Sequence, residues 1–247
     1  MVINKAIGIM GAMPEEIKGV IDLATDKKEF VFAGRTYYQG YINNTKVVIV
    51  ISGWGKVSAA VTASTLIQTF GVSEIIFTGV AGAIHPALRI GDVVIGKRLV
   101  QHDMDARPLI PQFQIYSLQK IFMETHKDQL QKATTAVNNV LEHLDLEMIK
   151  DFCSQQPKLH IGDIASGDQF FSSQKQKENL LSHFPTILCV EMEGASVSQV
   201  CCEYDIPFTI IRTISDQADE SSPTDFLAFI EHVAKYYAVE VVKQLLQ

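Results

Sequence analysis

Cysteine is scarce in this 247-residue chain: there are four, at positions 153, 189, 201 and 202, and none forms a C-x-x-C pair. Cys189 lies in an apolar run and Cys201-Cys202 are neighbours in a helical segment, so buried or idle thiols are expected and zinc ligation is not. Basic runs are also missing. With a formal net charge of −7, the chain lacks the footprint of a nucleic-acid or anionic-membrane binder. No apolar stretch approaches the ~20 residues of a membrane span. The run Ala6-Ile7-Gly8-Ile9-Met10 is too short for a secretory signal core and leads into acidic residues, so a soluble, cytoplasmic protein is expected. There is no repeat, low-complexity tract or Pro/Gly-rich linker, and the expectation is one domain over 1–247.

What the chain does contain is apolar residues, 47% against 20% charged, enough for a large core. They fall in short runs separated by segments of helical period. Strands are expected at Ala6–Gly11, Phe30–Phe32, Thr36–Ile42, Lys46–Ser52, Glu74–Gly79, Asp92–Val100, Leu159–Ala165, Ile187–Val190 and Phe208–Ile214. Helices are expected at Pro14–Ala24, Val57–Phe70, roughly Asp128–Leu146 and Pro223–Leu246. Strands alternating with helices imply βαβ crossovers, and the early strands add antiparallel pairs. The expected fold is a three-layer α/β/α sandwich around a mixed, mainly parallel sheet.

In such sheets ligands bind beyond the carboxyl ends of the strands, and there the chain collects glycines, carboxylates and aromatics. The runs end in Gly11-Ala12-Met13-Pro14-Glu15-Glu16, Ser52-Gly53-Trp54-Gly55-Lys56, Thr78-Gly79-Val80-Ala81-Gly82, Ser166-Gly167-Asp168-Gln169-Phe170-Phe171, Glu191-Met192-Glu193-Gly194 and Ser215-Asp216. Each has an ordinary explanation. Glu15 and Glu16 suit a helix's first turn, Ser215-Asp216 a cap, Gly79-x-x-Gly82 tight packing, and Phe170-Phe171 a core. Glu191 and Glu193 resist that reading, because two acids end an apolar strand. The joint pattern points to one pocket.

At these blocks, in order from Gly8-Ile9-Met10-Gly11-Ala12-Met13 through Val190-Glu191-Met192-Glu193 to Arg212-x-Ile214-Ser215-Asp216, the sequence resembles the bacterial methylthioadenosine/S-adenosylhomocysteine nucleosidases. The resemblance implies a nucleoside phosphorylase-like fold, a homodimer, and hydrolysis of the N-glycosidic bond without metal or organic cofactor. It implies that Glu16 activates water, Asp216 with Ser215 protonates the purine at N7, and Arg212 helps hold the water and Glu16. It places Glu193 on the ribose hydroxyls, Met192 against the sugar, Phe170 on adenine and the Phe171 backbone at its edge. Met13, Val80, Ala81, Gly82 and Glu191 complete the substrate-binding set it implies.

Two stretches depart from the resemblance. Val80 stands where some members carry serine, and Asp105–Met123, with Arg107-Pro108-Leu109-Ile110-Pro111, differs from the Gly/Tyr-rich loop of enterobacterial members near the 5′-substituent. The preference among 5′ groups is therefore open, with aminodeoxyfutalosine hydrolysis as the alternative. A phosphorylase is a lesser alternative, since Glu16 at the nucleophile side would repel phosphate. A non-catalytic nucleoside binder is another, set against the presence of both acids.

Overall fold

In the computed structural model, which describes residues 5–153 and 155–247, the first apolar run forms β1 (Ile7–Gly11). It is buried from Gly8 onward, as a central strand covered on both faces must be. Pro14 then opens α1 (Pro14–Leu23), where its missing N–H costs nothing, and Ile17, Val20 and Ile21 turn one face to the core. A meander follows: β2 (Thr25–Phe32), β3 (Arg35–Ile42) and β4 (Thr45–Ile51). Next come α2 (Lys56–Phe70), stopped by Gly71 in the left-handed region, then β5 (Glu74–Ala83) and β6 (Val93–Gln101).

The second half supplies β7 (Phe122–Glu124), α3 (Lys127–Glu142), β8 (Leu159–Ser166), α4 (Gln174–His183), β9 (Ile187–Glu191), α5 (Gly194–Glu203) and β10 (Phe208–Asp216). The carboxyl-terminal helix is interrupted. It runs as α6 (Ser222–Phe229), a π turn over Ile230–Ala234, and α7 (Lys235–Leu245).

Pairing is parallel across β4-β1-β5-β10 and β6-β8-β9, and antiparallel at β2–β3–β4, β10–β6, β5–β9 and β6–β7. Because β10 meets both β5 and β6, strands β5, β10, β6, β8 and β9 close into a ring. The meander extends from it as an open arm. Helices cover the sheet as two groups, α1, α3 and α7 packed together and α2 on α5. This is the mixed three-layer α/β architecture expected.

The ring accounts for the main differences from the expected elements. β5 runs on to Ala83 and β10 to Asp216, so Gly79–Gly82 and Ser215–Asp216 lie within strands rather than in turns after them. Glycine has poor strand propensity, but here β10 and β9 flank the stretch, with Arg212 opposite Gly79 and Val190 opposite Gly82. Tertiary pairing overrides the local preference. β7 was not expected; it is three residues long and rests on β6. The helix expected to reach Leu146 ends at Glu142, and a separate 3₁₀ turn follows at Leu146–Met148. No helix among the described residues is long and apolar enough to cross a membrane.

Candidate active site

Glu16 sits in the first turn of α1, and its carboxylate folds back over the start of its own helix. Oε2 accepts the N–H groups of Ala12 (2.6 Å) and Met13 (3.0 Å), and Oε1 accepts that of Val80 (3.1 Å). All three are donors, so the geometry suits an ionised carboxylate. Burial pushes the carboxyl above its ordinary value, opposed by the Arg212 charge and these N–H groups. The result is a fixed, dehydrated carboxylate with raised proton affinity, the property of a good base. Val80 contributes here through its backbone, whatever its side chain.

Asp216 ends β10. Its Oδ1 accepts Ala218 N–H (2.9 Å) and its Oδ2 the Ser215 hydroxyl (2.8 Å). Burial raises this carboxyl above its ordinary value, with Ser222, Ala218 and Ser215 pulling the other way. A carboxyl that holds its proton more tightly than usual suits an acid. Gly82 leaves room for it, since a Cβ there would lie 2.9 Å from Asp216 Oδ1.

Behind these two lies an ion pair. Arg212, 1% exposed, donates from Nε (3.2 Å) and Nη2 (2.7 Å) to Glu191 Oε2, and from Nη1 to the carbonyls of Phe77 (3.1 Å) and Ile211 (3.0 Å). Its guanidinium also stacks 4.2 Å over the Phe77 ring. Glu191 in turn accepts the Ser166 hydroxyl and the N–H groups of Gly194 and Glu193 at the start of α5. Its carboxylate is thus occupied from within the protein.

Glu193, two residues on, is different. Its Oε1 accepts Gly55 N–H (2.7 Å) at the start of α2. Burial, then the neighbouring Glu191 charge, push its carboxyl up to about 8.

These groups surround one cavity of about 410 Å³. Of the expected residues, Met13, Glu16, Val80, Ala81, Gly82, Phe170, Phe171, Glu191, Met192, Glu193, Ser215 and Asp216 line it. Arg212 does not; it lies behind the wall. Phe171 is buried edge-on to His102, whereas Phe170 is 43% exposed and edge-on to Phe226. The cavity is also lined by Trp54 and Gln169, which stood in the strand-end blocks without an assigned role, and by Pro223, Phe226 and Leu227, which sequence reasoning missed. Trp54 had a signal, being the one tryptophan and lying in a glycine turn after β4. Phe226 and Leu227 had none, since α6 reads locally as ordinary core helix.

Four carboxylates line the cavity and no Lys or Arg does among the described residues. No group of three or more His, Cys, Asp or Glu among the described residues is placed to hold a metal ion. The arrangement can move protons on two sides of a bound molecule and shelter developing positive charge between them. Residues 6–246 match the Phosphorylase superfamily.

The chain belongs to that superfamily.

Within it, the similarity is to nucleosidases. The chain is 36% identical over 230 residues to the aminodeoxyfutalosine nucleosidase of Helicobacter pylori, covering 93% of each chain. It is 34% identical over 241 residues to the 5′-methylthioadenosine/S-adenosylhomocysteine nucleosidase of Staphylococcus carnosus, covering 98% of this chain and 99% of that one. A solved structure of the Neisseria meningitidis 5′-methylthioadenosine/S-adenosylhomocysteine nucleosidase, in complex with methylthio-immucillin-A, superposes with a TM-score of 0.87 at 29% identity, covering 98% of each chain. With nucleosidase relatives at 34–36% identity over nearly the whole chain, the protein is an enzyme, an N-glycosyl hydrolase.

Proposed function

We propose that the protein hydrolyses the N-glycosidic bond of 5′-methylthioadenosine and S-adenosylhomocysteine, releasing adenine and the corresponding 5-thioribose. The observation that carries this reading is the pair Glu16 and Asp216 on the walls of one cavity, both buried carboxyls with raised proton affinity, the first opposed by the Arg212 charge and the second pushed further by the Asp225 charge. Glu16 takes a proton from water as the oxygen bonds to C1′. The C1′–N9 bond breaks with its electron pair leaving on the purine, and Asp216 delivers a proton to N7. Phe170 and Phe171 wall the base, and Met192 packs on the sugar.

Glu193 holds the ribose hydroxyls and sits where positive charge develops on the ring. Glu191 and Arg212 act together from behind: the ion pair sets the β9–α5 corner from which Glu193 projects, and the Arg212 charge favours ionised Glu16. A general acid or base contributes typically ~10²–10⁴-fold; orientation of the ribose and exclusion of water supply the rest.

Phosphorolysis is disfavoured because the cavity lining offers no free cation to a phosphate among the described residues, and Glu16, held by three N–H donors, stands where the nucleophile would enter. Aminodeoxyfutalosine is the second reading, supported by relatives of that name at equal similarity. The deciding experiment is adenine release from methylthioadenosine in phosphate-free buffer, with S-adenosylhomocysteine, aminodeoxyfutalosine and inosine alongside. Rapid release supports the proposal and ranks the substrates; release only with phosphate would sink it.

The protein also acts, on this reading, as a cytoplasmic homodimer of one-domain subunits. Support comes from α2, which turns Val57 (75% exposed) and Val61, one turn later, to solvent. Sedimentation at a single-subunit mass would remove the dimer.

A further inference from the structure

Three residues outside the cavity lining form a closed ring of hydrogen bonds beside Glu193. The N–H of Lys56 donates to Asp168 Oδ1 (2.8 Å), the N–H of Asp168 donates to Asp103 Oδ2 (3.0 Å), and Lys56 Nζ returns to Asp103 Oδ1 (2.5 Å). The three come from different parts of the fold: the start of α2, the end of β6 and the end of β8. Burial works against a charged Asp103, but the Lys56 bond, the Asp168 N–H and the Lys56 charge hold its carboxyl below the ordinary value.

The ring stands one residue from the active-site contact. Gly55 and Lys56 are consecutive, and their N–H groups point at two different carboxylates, Gly55 at Glu193 and Lys56 at Asp168. Adjacent peptide units share backbone torsions, so fixing one N–H limits where the other can point. Gly55 itself has φ +87°, and a Cβ there would lie 3.0 Å from Asp168 Oδ1. Glycine thus lets the turn pass close to Asp168, whose bond to the Lys56 N–H holds it there. Asp168 is also two residues before Phe170, so the same ring tethers the aromatic wall.

We infer that Asp168, supported by Asp103 and Lys56, is a positioning residue that holds the Gly55 N–H on Glu193 and so aims Glu193 at the ribose. The inference rests on the ribose role proposed for Glu193. The groups that face Glu193 are Glu191, Arg212 and Glu16, together with the Gly55 N–H. Of these, only the N–H depends on the ring.

The test compares Asp168→Ala with Asp168→Asn, which keeps an oxygen acceptor for Lys56 N–H. Two readouts are needed, KM against kcat for methylthioadenosine, and the titration of the Glu193 carboxyl by carbon-13 NMR, its signal assigned by loss in Glu193→Gln. Asp168→Ala is expected to raise KM roughly tenfold with a smaller change in kcat. It is also expected to move the Glu193 titration to higher pH, because an N–H donor favouring the ionised form is loosened. Asp168→Asn is expected to keep most of both. Should Asp168→Ala not fold, Asp103→Ala takes its place, since it removes the ring's support.

Unchanged KM and titration in the alanine variant would overturn the inference, as would equal loss in both Asp168 variants. No adenine release by the wild-type protein, with the Glu193 titration still shifted in Asp168→Ala, would instead overturn the proposed function and leave the ring's hold on Glu193 standing.

Discussion

Arg212 places both Nε and Nη2 on a single oxygen of Glu191, at 3.2 and 2.7 Å, in a part of the molecule with almost no solvent. The pair spans β9 and β10, which are not neighbours in the sheet. Removing one member leaves the other charge buried and unpaired. Arg212→Met is therefore expected to cost about 3–5 kcal/mol of folding stability, read as a shift in the urea midpoint. The double variant with Glu191→Gln should recover part of that loss. A single variant as stable as wild type would show that water reaches the pair.

Gly79 lies against Glu16. A Cβ at Gly79 would stand 2.7 Å from Glu16 Oε1 and 3.1 Å from its Cδ. Gly79→Ala is expected to push the carboxylate off the Val80 N–H and lower kcat by roughly 10²-fold or more, the scale of a misplaced base. Circular dichroism should be unchanged. Near-normal turnover would mean that Glu16 can work from a second position.

Glu193 makes a prediction about pH. Its folded carboxyl titrates at about 8, against an ordinary value of 4.5. Between those values the unfolded chain releases a proton that the folded one keeps, so stability falls as pH rises through the window and levels off above about 8. Glu193→Gln removes this term. It should be more stable than wild type at pH 9 and comparable at pH 4, as thermal unfolding at the two values would show. No pH-dependent difference would mean that Glu193 is already ionised in the fold.

Trp54 stands at the cavity mouth, 66% exposed, beside the Gly55 that binds Glu193. On the proposed placement of the ribose at Glu193, a 5′ arm directed toward solvent would pass this indole and Leu227. Trp54→Ala should lower kcat/KM roughly tenfold for an aromatic 5′ arm and less for a methylthio arm, since aromatic pairs add about 0.5–1.5 kcal/mol beyond area burial. An equal fall for both, measured side by side, would place the arm elsewhere.

Much of the fold was legible because the apolar runs are short, separated by helical spacing and ended by glycine or a carboxylate. Glu16 and Asp216 stood among the groups collected at the edge where ligands bind, but local reading offered each an ordinary helix-turn or cap role, and only the family resemblance marked them for proton transfer. The partner of Arg212 was not legible. The Arg212 charge acts on Glu16 as expected, yet its hydrogen bonds go to Glu191, Phe77 and Ile211. Nothing in local spacing distinguishes Glu191, which serves the ion pair, from Glu193, which faces the cavity. Two residues apart at the end of β9, they differ only in what the rest of the fold brings to them.

By itself, the sequence determined the order and kind of the elements and which residues stand at the carboxyl edge, because periodicity and glycine chemistry are local. Tertiary structure decided which of those residues are free to meet a ligand. The ring made by β5, β10, β6, β8 and β9 turned a glycine-rich stretch into strand, set Arg212 behind the wall and brought α6 over the mouth with Phe226 and Leu227. Such outcomes depend on contacts between residues more than a hundred positions apart, Phe77 with Arg212 among them, and on competition for each buried donor and acceptor. A donor already held by one carboxylate is not available to another.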